Sequence, residues 1–186
     1  MASRNIEDLI PKFRPLAKEL LKNCLARGVE MRPNQTLRDP FEQARLWRQS
    51  RTIEQIKQRI EVFKGAGATF LAHCLESVGP QSGDHVTDAP PGLSWHQWGE
   101  ALDCFWVVDG KADFSVSRLV KGVNGYRVYV EEAAKLGLTP GGLFKKLKDF
   151  PHVQFRPEGS PTSVFNLAEI SAEMEKRFGK SSRAFR

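Results

Sequence analysis

Two short segments about fifty residues apart carry side chains that a single fold has to bring together. The first runs Ser94-Trp95-His96-Gln97-Trp98-Gly99-Glu100-Ala101-Leu102-Asp103, and the second runs Asp149-Phe150-Pro151-His152. Together they supply two imidazoles and a carboxylate, with a spare acid three residues before the last histidine. Three protein ligands leave a coordination position for water, which is typical of a catalytic zinc, whereas structural sites usually have four ligands. The spare acid then suits the role of general base on that water.

The segment that follows the first histidine has the pattern of a β-strand. Residues 101–108 are rich in apolar and aromatic side chains, and Asp109-Gly110 is a hairpin turn signal. Side chains alternate between the two faces of a strand, so Asp103 and Cys104 point in opposite directions. We therefore expect Asp103 to face a cleft and Cys104 to face the packed side, which argues against Cys104 as a ligand.

The four histidines differ in how well their surroundings support a ligand role. His96 lies seven residues before Asp103, far enough for a turn to bring both side chains to one point, and His152 has to come from another strand. A lone histidine is more often a core or surface residue, and we assign that role to His73 and His85. For the other two histidines, spacing alone leaves both a zinc site and ordinary structural roles open.

Length and composition predict one globular domain. The 186 residues can bury a sizeable core but are few for two ordinary domains, and 40% of them are hydrophobic. No apolar run approaches the roughly 18 residues of a membrane span, and the first residues lack the apolar stretch of a secretory signal. We therefore expect synthesis in the cytoplasm and no membrane insertion. Three widely spaced cysteines, Cys24, Cys74 and Cys104, predict buried, reduced thiols rather than disulfides.

The net charge of +6 is unevenly distributed along the chain. Residues 65–110 contain no Lys or Arg but six acidic residues, which leaves +12 for the rest of the chain. The acidic stretch surrounds His96 and favours a cation there, whereas the basic remainder favours polyanions such as bacterial wall polymers. The basic residues do not gather in one block with interleaved aromatics, so nucleic acid is not the expected partner.

Hydrophobic periodicity predicts helices around a small sheet. Thr52-Ile53-Glu54-Gln55 has the pattern of a capping box that opens a helix. Its predicted inner face consists of Ile53, Ile56, Ile60 and Phe63. The other predicted helices are 6–25 (with prolines at 11 and 15 that break or bend its first half), 41–51, 66–78, 126–136 and 167–178. With a loop over 79–93 and a second strand near 152–155, these elements predict an α+β fold, a single domain with a small, mainly antiparallel sheet.

The two segments resemble the motifs of the zinc peptidases of bacterial cell-wall metabolism, the D-alanyl-D-alanine carboxypeptidase and L-alanyl-D-glutamate endopeptidase family of LAS type. Its first motif, Ser-x-His-x-x-Gly-x-Ala-x-Asp, is matched at every fixed position, and its second, an acid followed two residues later by histidine, is matched by Asp149 and His152. The resemblance implies a LAS or Hedgehog-like metallopeptidase fold. It further implies one zinc held by His96, Asp103 and His152 together with water, and Asp149 as the general base.

Further residues extend this resemblance over residues 29–155. Gly141-Gly142 resembles the glycine pair before the second motif, although Phe144 stands where tryptophan is common. Arg38 and Gln43 match the family's Gly-Tyr-Arg segment, in which Thr and Leu here replace the glycine and the tyrosine. The resemblance implies that Arg38 stabilises the oxyanion of the tetrahedral intermediate. Residues 52–92 look like a helical and loop insertion beside the active site.

Four residues are candidates for substrate binding: Gln43, Ser94, Trp95 and Trp98. For the two tryptophans, which flank His96 in the sequence, packing in the core is an equal alternative.

The function implied by the resemblance is hydrolysis of peptidoglycan stem peptides by a zinc metallopeptidase. An aspartate before the last histidine, without a signal peptide, is more similar to the phage endolysin-type endopeptidases than to the secreted carboxypeptidases. We therefore expect cleavage of the L-Ala–D-Glu bond, by a monomer that reaches the wall after release from the cytoplasm. A D-Ala-D-Ala carboxypeptidase or dipeptidase is the alternative enzyme. A wall-binding or structural phage protein without turnover is the alternative from another class.

Overall fold

The computed structural model describes residues 2–179, in which helices and short strands are joined by long connecting segments. The α-helices are α1 (Arg14–Ala26), α2 (Pro40–Arg48), α3 (Ile53–Gly65), α4 (Thr69–Ser77), α5 (Gly125–Lys135) and α6 (Leu167–Phe178). The strands are β1 (Glu30–Gln35), β2 (Ala101–Val108), β3 (Lys111–Asp113), β4 (Thr139–Pro140) and β5 (His152–Gln154). Helices that accompany one small sheet confirm the predicted α+β class.

The sheet is antiparallel at each of its pairings, and one of its two interior strands, β5, is the last strand in the chain. The strand order is β1-β2-β5-β4, with β3 pairing to β2 as well. β5 pairs with the beginning of β2 on one side and with β4 on the other. Hydrophobic periodicity does not predict β1, which contains a proline, or β4, which is only two residues long. Of the two neighbours that position β5, β2 was predicted from the sequence and β4 was not.

The hairpin that joins β2 and β3 has the turn predicted for it. Asp109 has φ 52° and Gly110 has φ 74°, so both central residues are left-handed. Two left-handed residues characterise the type I′ turn, whose twist matches that of the flanking strands. The predicted turn signal is confirmed.

One face of β2 packs into the hydrophobic core that α1 and α5 cover. Leu102, Cys104 and Trp106 are buried in this core together with Tyr129 of α5. Burial of each large side chain contributes roughly 1.5–3 kcal/mol to folding. On the opposite face, alternate residues of β2 are only half-buried, and Asp103 is one of them. The predicted alternation, with Cys104 in packing, is therefore confirmed.

The first helix begins later than hydrophobic periodicity predicts. Residues 6–8 form a short 3-10 turn, and α1 begins at Arg14 with Pro15 in its first turn. Proline lacks an amide hydrogen and is tolerated only in the first turn of a helix, so the predicted break at the prolines is confirmed and the continuous helix extends only over the second half of 6–25. Leu9 and Phe13 remain fully buried, which explains why the apolar pattern extends beyond the helix.

The described chain divides into two compact units. Residues 2–37 with 98–157 contain the sheet, α1 and α5. Residues 38–97 with the segment from Glu158 onward contain the other helices, among which α4 packs against α2, α3 and α6. The predicted insertion over 52–92 contains α3, α4 and the loop that follows them.

The capping box at the start of α3 is present as predicted. The Thr52 side chain accepts a hydrogen bond from the Gln55 amide, and the Gln55 side chain accepts one from the Thr52 amide. Three residues of the predicted inner face, Ile56, Ile60 and Phe63, are buried. Ile53 is 65% exposed, so its assignment to that face is wrong. It is the first residue of the helix, and the buried positions begin one turn later.

Three further features relate to expectations from the sequence: possible membrane spans, the cysteines and the 79–93 segment. Across residues 2–179, no helix combines the length and the apolar character that a membrane crossing requires. Cys24, Cys74 and Cys104 are all buried with free thiols, as predicted. The 79–93 segment contains no helix or strand, which also agrees with its prediction as a loop.

Candidate functional site

The first histidine motif folds as a short helical turn that leads into β2. Residues 95–98 form a 3-10 helix, and His96 lies in it, 3% exposed. Ser94 precedes this turn, and its hydroxyl accepts a hydrogen bond of 3.4 Å from the His96 amide. Its carbonyl accepts a second bond, of 3.0 Å, from the Gln97 amide. Ser94 therefore acts first as a cap that fixes the backbone of the histidine turn.

Gly99 lets the chain leave this turn and enter the strand. It has φ 68°, a left-handed conformation that favours glycine. A Cβ atom here would lie 3.0 Å from the carbonyl oxygen of Asp8, and the Gly99 carbonyl accepts a hydrogen bond from the Ile10 amide. The glycine of the first motif is thus required by both conformation and space.

Asp103 and His152 meet across two strands of the sheet. They are register partners in the β2–β5 pair, and the imidazole Nδ1 of His152 lies 2.9 Å from Oδ1 of Asp103. The other ring nitrogen, Nε2, lies 3.2 Å from Oε1 of Gln154. That amide is oriented by its Nε2, which donates to the Arg156 carbonyl at 2.7 Å, so its oxygen faces the ring. Gln154 lies outside both motifs, so the sequence alone does not indicate its contact with His152.

The pKa of His152 reflects these neighbours. Burial acts to lower the pKa, but the hydrogen bond to Asp103, the negative charges of Asp103 and Asp149, and the bond to Gln154 together raise it above the usual 6.5. Both ring nitrogens face acceptor oxygens, so the doubly protonated ring satisfies both contacts. The environment of His152 therefore attracts a cation, either a proton or a metal ion.

His96, Asp103 and His152 are brought together by the fold. One potential ligand atom from each lies within 4.8 Å of the others. Two imidazole nitrogens and one carboxylate oxygen form a donor set suited to zinc, and one ion is within reach of all three. The residues named from the two motifs as a ligand set are thus neighbours in space.

Asp149 lies in an exposed turn just before β5. Its amide donates a 3.0 Å hydrogen bond to the Gly141 carbonyl, and its own carbonyl accepts a 3.2 Å bond from the His152 amide. A Cβ atom at Gly141 would lie within 3 Å of the Asp149 carbonyl oxygen, which is a steric clash. The backbone of Asp149 therefore packs directly against Gly141, which explains why the first residue of the pair is a glycine.

The second glycine and the aromatic residue after it pack around the same turn. A Cβ atom at Gly142 would lie 2.6 Å from a methyl group of Val130 and 3.0 Å from the Phe150 ring. The ring of Phe144 lies 5.9 Å from that of His152, at an interplanar angle of 49°. Phe144 thus makes an aromatic contact with the histidine.

Arg38 and Gln43 are buried beside the histidine turn. The backbone amide of Arg38 donates to the His96 carbonyl at 3.2 Å, and its guanidinium Nη1 donates to Oε1 of Gln43 at 2.7 Å. Gln43 is fully buried and also bonds to Gln97, a residue that sequence analysis did not select. Gln97 stands at a variable position of the first motif, so only its contacts could reveal it.

The two candidate tryptophans are also buried. Trp95 is 2% exposed, and its indole nitrogen donates to the Glu158 carbonyl at 2.6 Å. Trp98 is 5% exposed. This burial favours packing, the alternative that the sequence left open. Substrate contact by Trp95, Trp98, Ser94 or Gln43 remains a prediction.

Comparison with protein families gives a match over most of the chain. The matching family is VanY, D-alanyl-D-alanine carboxypeptidase, and the match covers residues 7–139. The chain belongs to this family. It is accordingly a hydrolase of peptidase type, for which peptidoglycan is a fitting substrate class. The matched region includes Arg38 and the complete first motif, while Asp149 and His152 lie beyond its end.

The solved structures include a similar chain, the L-Ala D-Glu endopeptidase ChiX from Serratia marcescens. The two share 17% sequence identity, and the alignment covers 84% of this chain and 89% of that one, with a TM-score of 0.41. Among curated protein sequences there is no match.

Proposed function

We propose that this protein is a zinc metallopeptidase that hydrolyses the stem peptides of peptidoglycan. The observation that carries the proposal is the proximity of His96, Asp103 and His152, whose potential ligand atoms lie within 4.8 Å of one another. Family membership supports the hydrolase, and the donor set supports the metal. Asp149, whose charge acts on His152, is close to this group without belonging to it.

His96, Asp103 and His152 would hold the zinc ion. When bound, zinc supplies a Lewis acid that polarises a carbonyl group and promotes the ionisation of water. Gln154 holds one ring nitrogen of His152 and so fixes the orientation of the imidazole, as outer partners of metal-ligating histidines commonly do. The chain therefore provides both ligands and a group that orients one of them.

Asp149 would be the general base. Its exposed carboxylate can accept a proton from the attacking water and pass it to the amine that leaves. The close backbone contact with Gly141 fixes the backbone of Asp149 relative to His152. Arg38, tied to the His96 carbonyl through its amide, would place its guanidinium charge near the oxyanion of the tetrahedral intermediate.

The proposed bond is the one between L-Ala and D-Glu, as in an endolysin-type endopeptidase. Its support is the aspartate at position 149, which resembles the phage-type enzymes of this family. Under this proposal the protein acts as a monomer on the cell wall after its release from the cytoplasm. A D-Ala-D-Ala carboxypeptidase is the second candidate, and the description of the matching family favours it.

Mass spectrometry of purified peptidoglycan treated with the zinc-loaded protein tests this proposal. New amino-terminal D-Glu is the expected product. The chelated protein serves as a control that should release none, and Asp149→Asn should release far less than the wild type. Release of free D-Ala instead would overturn the proposed bond in favour of the carboxypeptidase. Binding to the wall without any new amine would overturn hydrolysis and favour a structural wall protein.

A further inference from the structure

Three buried polar side chains form a hydrogen-bonded chain beside the His96 turn. Arg38 is 8% exposed, and Gln43 and Gln97 are fully buried. Gln43 accepts from Arg38 Nη1 at 2.7 Å and from Gln97 Nε2 at 2.9 Å, both at its Oε1. Buried polar groups are costly unless they are paired, so each member of such a chain constrains the position of the next.

The orientation of the Gln43 amide is fixed by its obligate partners. A guanidinium can only donate hydrogen bonds, so the Gln43 atom that faces Arg38 must be the oxygen. The Gln43 nitrogen then donates to the Ala89 carbonyl at 2.6 Å and to the Thr87 hydroxyl at 3.2 Å. Two acceptor contacts and two donor contacts satisfy the whole amide inside the protein, with no capacity left for a substrate.

The orientation of the Gln97 amide is fixed in the same way. Its oxygen accepts from two backbone amides, those of Gly92 at 3.0 Å and Ser94 at 3.3 Å. Its nitrogen must therefore be the atom that donates to Gln43. Gln97 thus connects the backbone just before His96 to the amide that holds the Arg38 guanidinium.

The hydrogen-bonded side chains of Arg38, Gln43 and Gln97, together with the Arg38 backbone, form a closed connection around the histidine turn. Arg38 reaches the His96 carbonyl through its amide and reaches the backbone of residues 92–94 through two glutamines. We propose that Gln43 and Gln97 are positioning residues, which fix the Arg38 guanidinium relative to the segment that carries His96. This assigns Gln43 a role in place of the substrate contact predicted from sequence, and it rests on the proposed function of Arg38.

The decisive variant is Gln97→Glu. A glutamate keeps the acceptor for the Gly92 and Ser94 amides but places an oxygen where the donor to Gln43 was. It therefore preserves the local cap and breaks the connection to Arg38. Gln97→Met removes both, and Gln43→Met removes the connection from the other side. Gln81→Met is the matched control, because the Gln81 nitrogen donates to the Val78 carbonyl in a loop of the same unit.

Two measurements on the zinc-loaded variants test the proposal. The first is kcat/KM on peptidoglycan fragments, which we expect to fall about ten- to a hundredfold in Gln97→Glu, through kcat, because small misplacements of catalytic groups have effects of that size. The second is the rate of phenylglyoxal modification of Arg38, mapped by mass spectrometry. We expect it to rise about fivefold in Gln97→Glu and Gln43→Met, as loss of one hydrogen bond allows.

The control Gln81→Met should match the wild type in both measurements. Wild-type values of kcat/KM and Arg38 modification in Gln97→Glu would overturn the positioning role and leave Gln97 as a local cap. Faster modification of Arg38 with unchanged kcat/KM would overturn it as well. If the wild type hydrolyses no peptide, the proposed function fails, while the modification rates still decide whether the glutamines hold Arg38.

Discussion

Asp103 and His152 are register partners on adjacent antiparallel strands, and their side chains meet with 2.9 Å between Oδ1 and Nδ1. Side chains of directly opposed residues project to the same face of a sheet, so the pairing of β2 with β5 by itself places the carboxylate beside the imidazole. The two residues are 49 positions apart in the chain. The strand pairing therefore accounts for the position of two of the three candidate ligands, while His96 comes from the 3-10 helix before β2.

Zinc affinity should depend on pH through His152. Its pKa in the metal-free protein is raised above 6.5, so a proton competes with the metal at a higher pH than for an ordinary histidine. We expect the apparent zinc affinity to weaken as the pH falls through that raised pKa, by about tenfold per pH unit below it. A competition titration against a chromogenic chelator between pH 5 and 8 would measure this.

The stability of the metal-free protein should change in the opposite direction. A raised folded-state pKa of His152 stabilises the protein below the unfolded pKa, and this contribution is lost as the pH rises through the folded pKa.

Asp149→Asn tests whether His152 causes the pH dependence of zinc affinity, because this substitution removes one of the charges that raise the pKa of His152. In that variant the loss of zinc affinity should begin at a lower pH. An identical pH profile would contradict the assigned cause.

Asp149→Asn should abolish most hydrolysis while zinc remains bound. The three ligands do not include Asp149, and general acid–base catalysis contributes about 10²–10⁴-fold to rate. The expected result is a kcat lower by about that factor with one zinc per chain by elemental analysis. Asp84→Asn, at an exposed position of the 79–93 loop, is a control that should retain wild-type activity. Loss of stoichiometric zinc in Asp149→Asn would make Asp149 a ligand instead.

Gly141→Ala should impair catalysis by displacing the Asp149 turn. The new methyl group would collide with the Asp149 carbonyl oxygen, which is backbone and cannot rotate away. We expect kcat to fall about tenfold or more, because displacements near 1 Å have such effects, together with a stability loss of about 1–3 kcal/mol. Gly65→Ala is the matched control, because no atom lies within 4 Å of the position that its new methyl group would take. Full activity in Gly141→Ala would show that catalysis does not require the close contact between Gly141 and the Asp149 backbone.

The cysteines should be unreactive in the native protein. Burial raises the pKa of Cys24 to about 12 and raises the pKa values of Cys74 and Cys104 as well. Because the thiolate is the reactive form, titration with a thiol reagent at pH 8 should detect almost no thiol before denaturation and three after it. Rapid reaction of a native thiol would indicate that the surrounding core opens readily.

The features that were predicted correctly from the sequence depend on local patterns. The bounds of α6, the box at Thr52 and Gln55, and the turn at residues 109–110 each depend on residues close together in the chain. The opposite orientations of Asp103 and Cys104 follow from strand alternation alone. These features needed no knowledge of tertiary contacts.

The features that sequence analysis did not find depend on distant partners. β4 is only two residues long and is stabilised by pairing with β5. Gln97 and Gln154 matter through contacts with Gln43 and His152, and glutamine carries no periodic signal that would reveal such a role. Tertiary hydrogen bonds, unlike apolar patterns, leave no trace in a single sequence.

The position of β5 has a consequence for the synthesis of this protein. The strand lies between β2 and β4, although it is the last strand of the sheet to leave the ribosome. A nascent chain that ends before residue 152 lacks both an interior strand of the sheet and one of the three proposed ligands. Premature truncation would therefore yield inactive fragments rather than weakly active ones. Only chains that extend past His152 would have peptidase activity in the cell that makes the protein.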